Sequence, residues 1–451
     1  LPISRGLFST LEHWMRYRTR TKVWLLRASV AGAATLCGAA VAAQTAADAA
    51  NAAVAPAAGS TEAAASPLNL RQVFDAAWSR QPEALALQAR RDAARAQQSA
   101  AKAWTPQPAA LEVSNRTDRL GNNQGAREVE VGIAVPLWLP GERGRSAAMA
   151  DAEGAAIESR ANAAQLRVAA AVRDAWWQWQ RARIELVTAR EQLASTRLIA
   201  ADVARRAKAG DLARADQHQA DGAVAGGEAA VAQAEAGLAL ARQHLRALAG
   251  AAPALSGADD SLAEPDPGAS ATEIEAHAAL QELKDRAAVA QRSVELIATQ
   301  SRANPELMLA TTRDRGARGE ASQQTITLGI RIPFGAGPRS DARSANARAE
   351  AMEIQAQLAL ERERLTAERE AARMRVEASR TQLVAVERRA QLARESRGFF
   401  DKSFRLGETD LPTRLRIEAE AAEAERQAAR TRIELAAAIS AWRQALGLLP
   451  Q

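Results

Sequence analysis

The sequence predicts a mainly α-helical chain with a small β part, built as two copies of one helix, β-hairpin, long helix, helix unit. Three observations predict it. The stretch VEVGIAVPLWLPG (129–141) alternates apolar and polar residues inside a chain otherwise rich in Ala, Arg, Glu and Gln, and returns as ITLGIRIPFGAG (326–337). Gly132 matches Gly329 and Pro136 matches Pro333, each pair 197 residues apart. No proline interrupts the windows from about 145 to 208 or from about 340 to 405. Strict alternation marks a strand, and a long proline-free stretch with helical periodicity marks a helix.

The chain has 451 residues and a formal charge of +6. The charge is local. Residues 1–43 hold six basic residues and one acid, and the remainder holds 53 basic and 52 acidic residues. A nearly neutral remainder with few aromatics lacks the basic face that nucleic-acid binding needs. Residues 1–43 read as a signal peptide whose true start is possibly Met15, with a basic segment, an apolar segment at 28–43 and small residues before Gln44. Cys37, the only cysteine, has two readings, a lipidation site or filler in the apolar segment. Leu36 fits a lipidation motif poorly, so filler is favoured. Residues 44–66 read as a flexible Ala/Pro leader.

The first repeat spans 67–249. A helix is expected from about 70 to 103, strands at about 109–119 and 127–138, and a long helix at about 145–208. An irregular connector rich in Pro, Gly and Asp occupies 250–271. The second repeat, 272–447, has its helix at about 273–303, strands at about 305–315 and 323–335, and a long helix at about 340–405, leaving 448–451 as a tail. The first strand of each pair ends in Asp-Arg, 196 residues apart. More than sixty helical residues make a rod of roughly 90–100 Å. Apolar residues recur at sevens, as at Leu358, Leu365 and Ala372, then Val376, Leu383 and Ala390, and also Ile157, Ala164 and Ala171. That period implies helices packed as a coiled coil. Each rod ends at a glycine, Gly210 or Gly407, where a left-handed residue turns the chain into the next helix.

Four strands of about ten residues, the second of each pair with one consistently apolar face, have the length of tilted membrane-crossing strands. The opposite face carries Glu130, Gly132, Thr327 and Arg331. A barrel needs about eight strands to close, so closure requires more than one chain. Two chains would supply eight strands and three would supply twelve.

These features resemble the outer-membrane factor family, the TolC-like exit ducts of tripartite efflux pumps, over about 67–447. PLNLRQVFDAAWSRQPEALA (67–86) is similar to the family's opening helix, with Gln81-Pro82 where Asn-Pro usually stands. FRLGETDLPTRL (404–415) is similar to its second tip, and the wording of that tip and PLWLPGERGR look most like the heavy-metal cation efflux branch. The resemblance implies a homotrimer with a twelve-stranded outer-membrane barrel, continued by a helical tunnel through the periplasm. It implies a passive conduit, not an enzyme, with no cofactor. Its partners would be outer-membrane lipid, a periplasmic adaptor and an inner-membrane RND-type pump, with cobalt-, zinc- or cadmium-type cations as cargo. The tips would dock the adaptor through Gly210, Asp211, Leu212, Leu406, Gly407, Glu408, Thr409, Asp410 and Leu411. Pro136, Gly141, Pro333 and Gly337 would form the junction of barrel and helices. Family members often carry acids six and nine positions after the second tip glycine, where this chain has Thr413 and Arg416. Asp211, Glu408 and Asp410 could instead form charged rings that narrow the pore, or be turn residues that favour the next helix.

His218, His244 and His277 lack metal-site spacing and read as surface or packing residues. Trp176 and Trp179 share a helix face and are expected to fill helix–helix space. A multidrug or peptide-secretion duct on the same fold is the alternative. A periplasmic adaptor or structural coiled coil is the alternative of a different class, but an adaptor carries one hairpin where this plan is doubled.

Overall fold

The structure is a computed structural model that describes residues 69–121, 123–250, 263–267, 273–334 and 337–451. The expected signal peptide, Cys37, the leader and most of the connector lie outside the described residues. The elements run in chain order as α1 (Leu70–Ser79), α2 (Pro82–Ala101), β1 (Ala110–Thr117), β2 (Arg127–Pro136), α3 (Glu142–Ala209), α4 (Arg214–Ala249), α5 (Ala278–Thr299), β3 (Glu306–Arg315), β4 (Gln323–Arg331), α6 (Gly337–Arg405) and α7 (Leu411–Ala445).

The expected opening helix is two helices. Asn69 caps α1 by accepting from the Gln72 amide at 2.8 Å, and the Gln72 side chain accepts from the Asn69 amide in return. Pro82 then stands at the first position of α2. It has no amide to donate and disfavours a helical residue before it, so the helix breaks at Arg80–Gln81. The second repeat's opening helix is likewise shortened: a single 3-10 turn covers Ile274–Ala276 before α5.

The long helices have 68 and 69 residues, rods of about 100 Å each at 1.5 Å per residue. Each returns through a partner helix, α3 against α4 and α6 against α7, while α2 and α5 lie along the start of the rods. The rods differ in burial. Along α6 from 351 to 390 the covered positions are 351, 354, 358, 361, 365, 369, 372, 376, 379, 383, 386, 387 and 390, spaced by three and four apart from the added 387. That is a coiled-coil seam, and it holds both expected tracks of sevens. Helix α3 also packs against α2, α5 and α7, so it is buried more broadly. Its expected track fails at Ala171, which is exposed.

The main core sits where α1 crosses α3. Leu70, Val73, Phe74 and Ala77 pack on Trp176, Trp177, Trp179, Leu245 and Ala249. Trp176 and Trp179 stack obliquely, with ring centroids 5.2 Å apart. They fill helix–helix space as expected. Their indole N–H groups find no acceptor among the described residues.

The four strands form one antiparallel sheet in chain order, so the β2–β3 pairing joins the two repeats. Among the described residues β1 and β4 are edges, each with one neighbour.

Candidate functional site

The sheet has two unlike faces. The register pairs Val113 with Val131 and Leu111 with Ile133, Ile133 with Leu309, and Leu309 with Leu328. Paired residues share a face and alternate residues return to it. Leu111, Val113, Val129, Val131, Ile133, Leu307, Leu309, Ile326, Leu328 and Ile330 therefore form one continuous apolar face, and all of them are exposed. The other face is polar or small apart from Met308. It carries Arg116 bonded to Glu128 at 3.1 Å and Arg331 bonded to Glu306 at 3.0 Å. A Cβ at Gly132 would stand 3.0 Å from the Ala310 Cβ, so strands β2 and β3 meet closely there.

The junction of sheet and rod is organised by Glu142, which sequence reasoning passed over. Pro136 ends β2, and Gly141 adopts the left-handed conformation (φ 79°) that starts α3. Glu142 is then buried. Its carboxylate accepts from the Leu139 amide at 2.9 Å, the Asn304 side chain at 2.6 Å and the Gln300 side chain at 2.7 Å. The Leu137 amide donates to the Pro305 carbonyl at 2.7 Å. One carboxylate thus ties the exit of β2 to the entry of β3. Pro333 follows β4, and Gly337 opens α6 with open space around its Cβ position. The aromatic side chains of Trp104 and Phe334 project into solvent at this end of the sheet.

A second centre lies at the waist. Glu264, from the connector, is buried between α3 and α7. Arg173 grips its two oxygens at 2.9 and 2.7 Å, Arg443 donates at 3.2 Å, and the Ser440 hydroxyl is also hydrogen-bonded to it. Its partners are 91 and 179 residues away in sequence. No local pattern signals such a contact. The connector offers two acids before prolines, Glu264-Pro265 and Asp266-Pro267, and nothing in the sequence singles out the buried one. Nearby, His277 is buried and caps α5 by accepting the Ala279 amide on Nδ1 at 3.3 Å. Burial pushes its imidazole below the usual range, with the backbone at Gln444 and the Glu361 charge opposing that shift.

The expected tip residues come together at the far end of the rods. Gly210 (φ 91°) and Gly407 (φ 79°) both take the left-handed cap. Phe404 and Leu411 of the second tip pack with Ile199, Val203 and Ala220 of the first, and Leu212 and Leu415 flank them. The Arg206 guanidinium lies 4.9 Å from the Phe404 ring centroid and donates to the Phe404 carbonyl at 3.1 Å. Below this, buried Arg414 bridges Asp401 at 3.0 Å and Glu418 at 2.8 Å. Leu406, Asp211, Glu408 and Asp410 remain exposed, and Thr409 hydrogen-bonds Ser403 at 2.6 Å. Asp410 caps α7, accepting the Thr413 amide at 3.2 Å. Hydrogen bonding to Thr413 holds its carboxyl below the usual carboxylate range.

The site is therefore a set of surfaces on a scaffold of one sheet and two long rods. Among the described residues no acid, His or Cys cluster could hold a metal ion, and no helix is long and apolar enough to cross a membrane. The comparisons with known proteins agree on the class. Residues 73–251 match the family described as outer membrane efflux protein. The fold is shared with solved outer-membrane channels: it superposes on CusC, solved in the context of transmembrane channel formation, with a TM-score of 0.70 at 16% identity over 84% of this chain and 92% of that one. VceC, an outer membrane protein of Vibrio cholerae, gives 0.65 at 18% identity over 84% and 96%. The open-state MtrE outer membrane channel of Neisseria gonorrhoeae gives 0.67 at 15% over 84% and 89%. No curated protein sequence matches the chain.

Proposed function

We propose that the chain is the outer-membrane exit duct of a tripartite efflux system, passive and homotrimeric. The observation that carries this reading is the sheet. It has an exposed apolar face, a polar opposite face and two unpaired edges, and it stands on two rods of about 100 Å. An exposed apolar face of that extent needs a partner, and unpaired edges need strands. Three copies would close twelve strands with the apolar faces toward lipid, and the rods would continue the passage into the periplasm. The tips would meet a periplasmic adaptor, with an RND-type pump in the inner membrane supplying the energy. Heavy-metal cations are the proposed cargo, on the wording of FRLGETDLPTRL and PLWLPGERGR.

The test is growth of a deletion strain on cobalt, zinc, cadmium, nickel and copper salts, with dyes and antibiotics alongside. Sensitivity confined to metals and restored by the wild-type copy is expected. Sensitivity to dyes and drugs with unchanged metal tolerance would replace the metal assignment by a multidrug duct on the same fold. Fractionation with the inner membrane would overturn the duct reading itself. For the tip, Asp410→Ala is expected to alter single-channel conductance or cation preference. An unchanged trace would leave Asp410 with its helix cap alone.

A further inference from the structure

The apolar face of the sheet does not continue to the loop end of the strands. Beyond Val129 and Thr311 the same face carries Arg127, Arg313 and Arg315, by the two-residue alternation of strands β2 and β3. The register sets Arg127 directly opposite Arg315 and sets Arg313 opposite Val129. Like charges directly opposite in a sheet repel, so an anion between them would stabilise the pairing. None of the described residues supplies one. Arg315 donates to the Gly125 carbonyl at 3.3 Å and Arg313 to the Ser322 hydroxyl at 3.3 Å. No ion pair holds Arg127, Arg313 or Arg315 among the described residues. The nearby acids are engaged elsewhere: Asp118 with the Gly125 amide, Glu320 with the Ala317 amide, and Glu128 with Arg116 on the opposite face. Asp314 also faces the opposite way, paired in register with Glu128. The two boundaries of the apolar face are therefore unlike. Exposed Trp104 and Phe334 lie at the helix end, and three arginines stand at the loop end.

We propose that Arg127, Arg313 and Arg315 form a binding site for the phosphate groups of a glycolipid whose acyl chains lie on the apolar face. The inference rests on the outer-membrane reading. With the rods in the periplasm, the loop end lies in the outer leaflet, where phosphorylated glycolipid is the abundant anion. Neighbouring strands are about 4.8 Å apart, so guanidinium groups from β2 and β3 can reach one phosphate together. Arginine forks suit phosphate oxygens, and the apolar strip below supplies the surface for the chains.

The experiment uses the purified full chain in zwitterionic detergent, with lipid binding read by native mass spectrometry. The probe is bis-phosphorylated lipid A. Dephosphorylated lipid A, phosphatidylglycerol and inorganic phosphate are run alongside. Wild type is expected to bind the phosphorylated form at least ~10-fold more tightly than the Arg127→Gln/Arg313→Gln/Arg315→Gln variant, the scale of losing charge-assisted hydrogen bonds. The single variant Arg127→Gln, at an exposed position, should weaken binding severalfold and guards against misfolding of the triple variant. Arg116→Gln/Arg331→Gln, on the opposite face, should bind as wild type. Equal binding by wild type and both outward-face variants would overturn the site. Equal affinity for dephosphorylated lipid A or phosphatidylglycerol, or displacement by millimolar inorganic phosphate, would overturn the glycolipid assignment. Either failure in a chain that still fractionates with the outer membrane would leave the duct reading standing. Loss of that fractionation would remove the duct reading instead.

Discussion

Glu264 faces two arginines inside the protein, and that makes it the residue on which the waist depends. A buried carboxylate held by Arg173 and Arg443 offsets the cost of burying all three charges. Glu264→Gln keeps the shape and removes the charge, leaving two guanidinium groups unbalanced. The expected loss is roughly 3–5 kcal/mol, read as a lowered thermal midpoint by the fluorescence of the adjoining tryptophans. A midpoint within a degree of wild type would mean the cluster is hydrated and contributes little. His277 adds a pH dependence at the same level. The folded chain takes up its proton less readily than the unfolded chain, whose imidazole titrates near 6.5. Its contribution is thus fully present above about pH 6.5 and is lost as pH falls below that value. Protonation at Nδ1 would also remove the acceptor that caps α5, while Glu361, Arg364 and Arg369 of α6 set the surrounding field. His277→Asn keeps a capping acceptor and removes the titration. It should flatten the fall in stability between pH 7 and 5, and an unchanged slope would assign the fall to other groups.

At the scale of elements, the tip is held by caps and one small apolar cluster, so Asp410 and Asp211 should behave differently. Asp410→Ala deletes the α7 cap and should speed amide exchange at Thr413 and its neighbours. Asp211, exposed beyond Gly210 and two residues before the first residue of the α4 cap, should be replaced by Ala with no such change. Equal protection in both variants would show that the α7 cap is dispensable. The same distinction explains what was legible in the sequence. The strands, the rods and their glycine ends were read to within a few residues, because period, proline and left-handed glycine are local signals. The seam of α6 was legible because one face of it is covered. The α3 seam was not, because that helix packs on five others. The break before Pro82 was written in the sequence and passed over. Glu142 and Glu264 were out of reach, since a buried carboxylate is defined by partners distant in the chain.

At the scale of the whole molecule, the repeat makes a statement about neighbours that one chain does not show. Within the chain, β2 pairs with β3 such that Gly132 faces Ala310. Gly329 lies 197 residues after Gly132, and Ser114 lies 196 before Ala310. If successive copies join β4 to β1 as the repeats join β2 to β3, Gly329 will face Ser114 of the neighbouring copy. Both residues lie on the polar face. Cα atoms across such a pair stand about 4.5–5.5 Å apart, within disulfide reach. In a Cys37→Ser background, Ser114→Cys with Gly329→Cys is therefore expected to give covalent dimers and trimers on a non-reducing gel. Val113→Cys with Gly329→Cys should give none, because those side chains point to opposite faces. Bands capped at the dimer under full oxidation would favour an eight-stranded closure by two copies. Cross-linking in the Val113 variant alone would mean that the copies meet one residue out of this register. The polar lining would then be broken at every subunit boundary, which is the arrangement the repeat argues against.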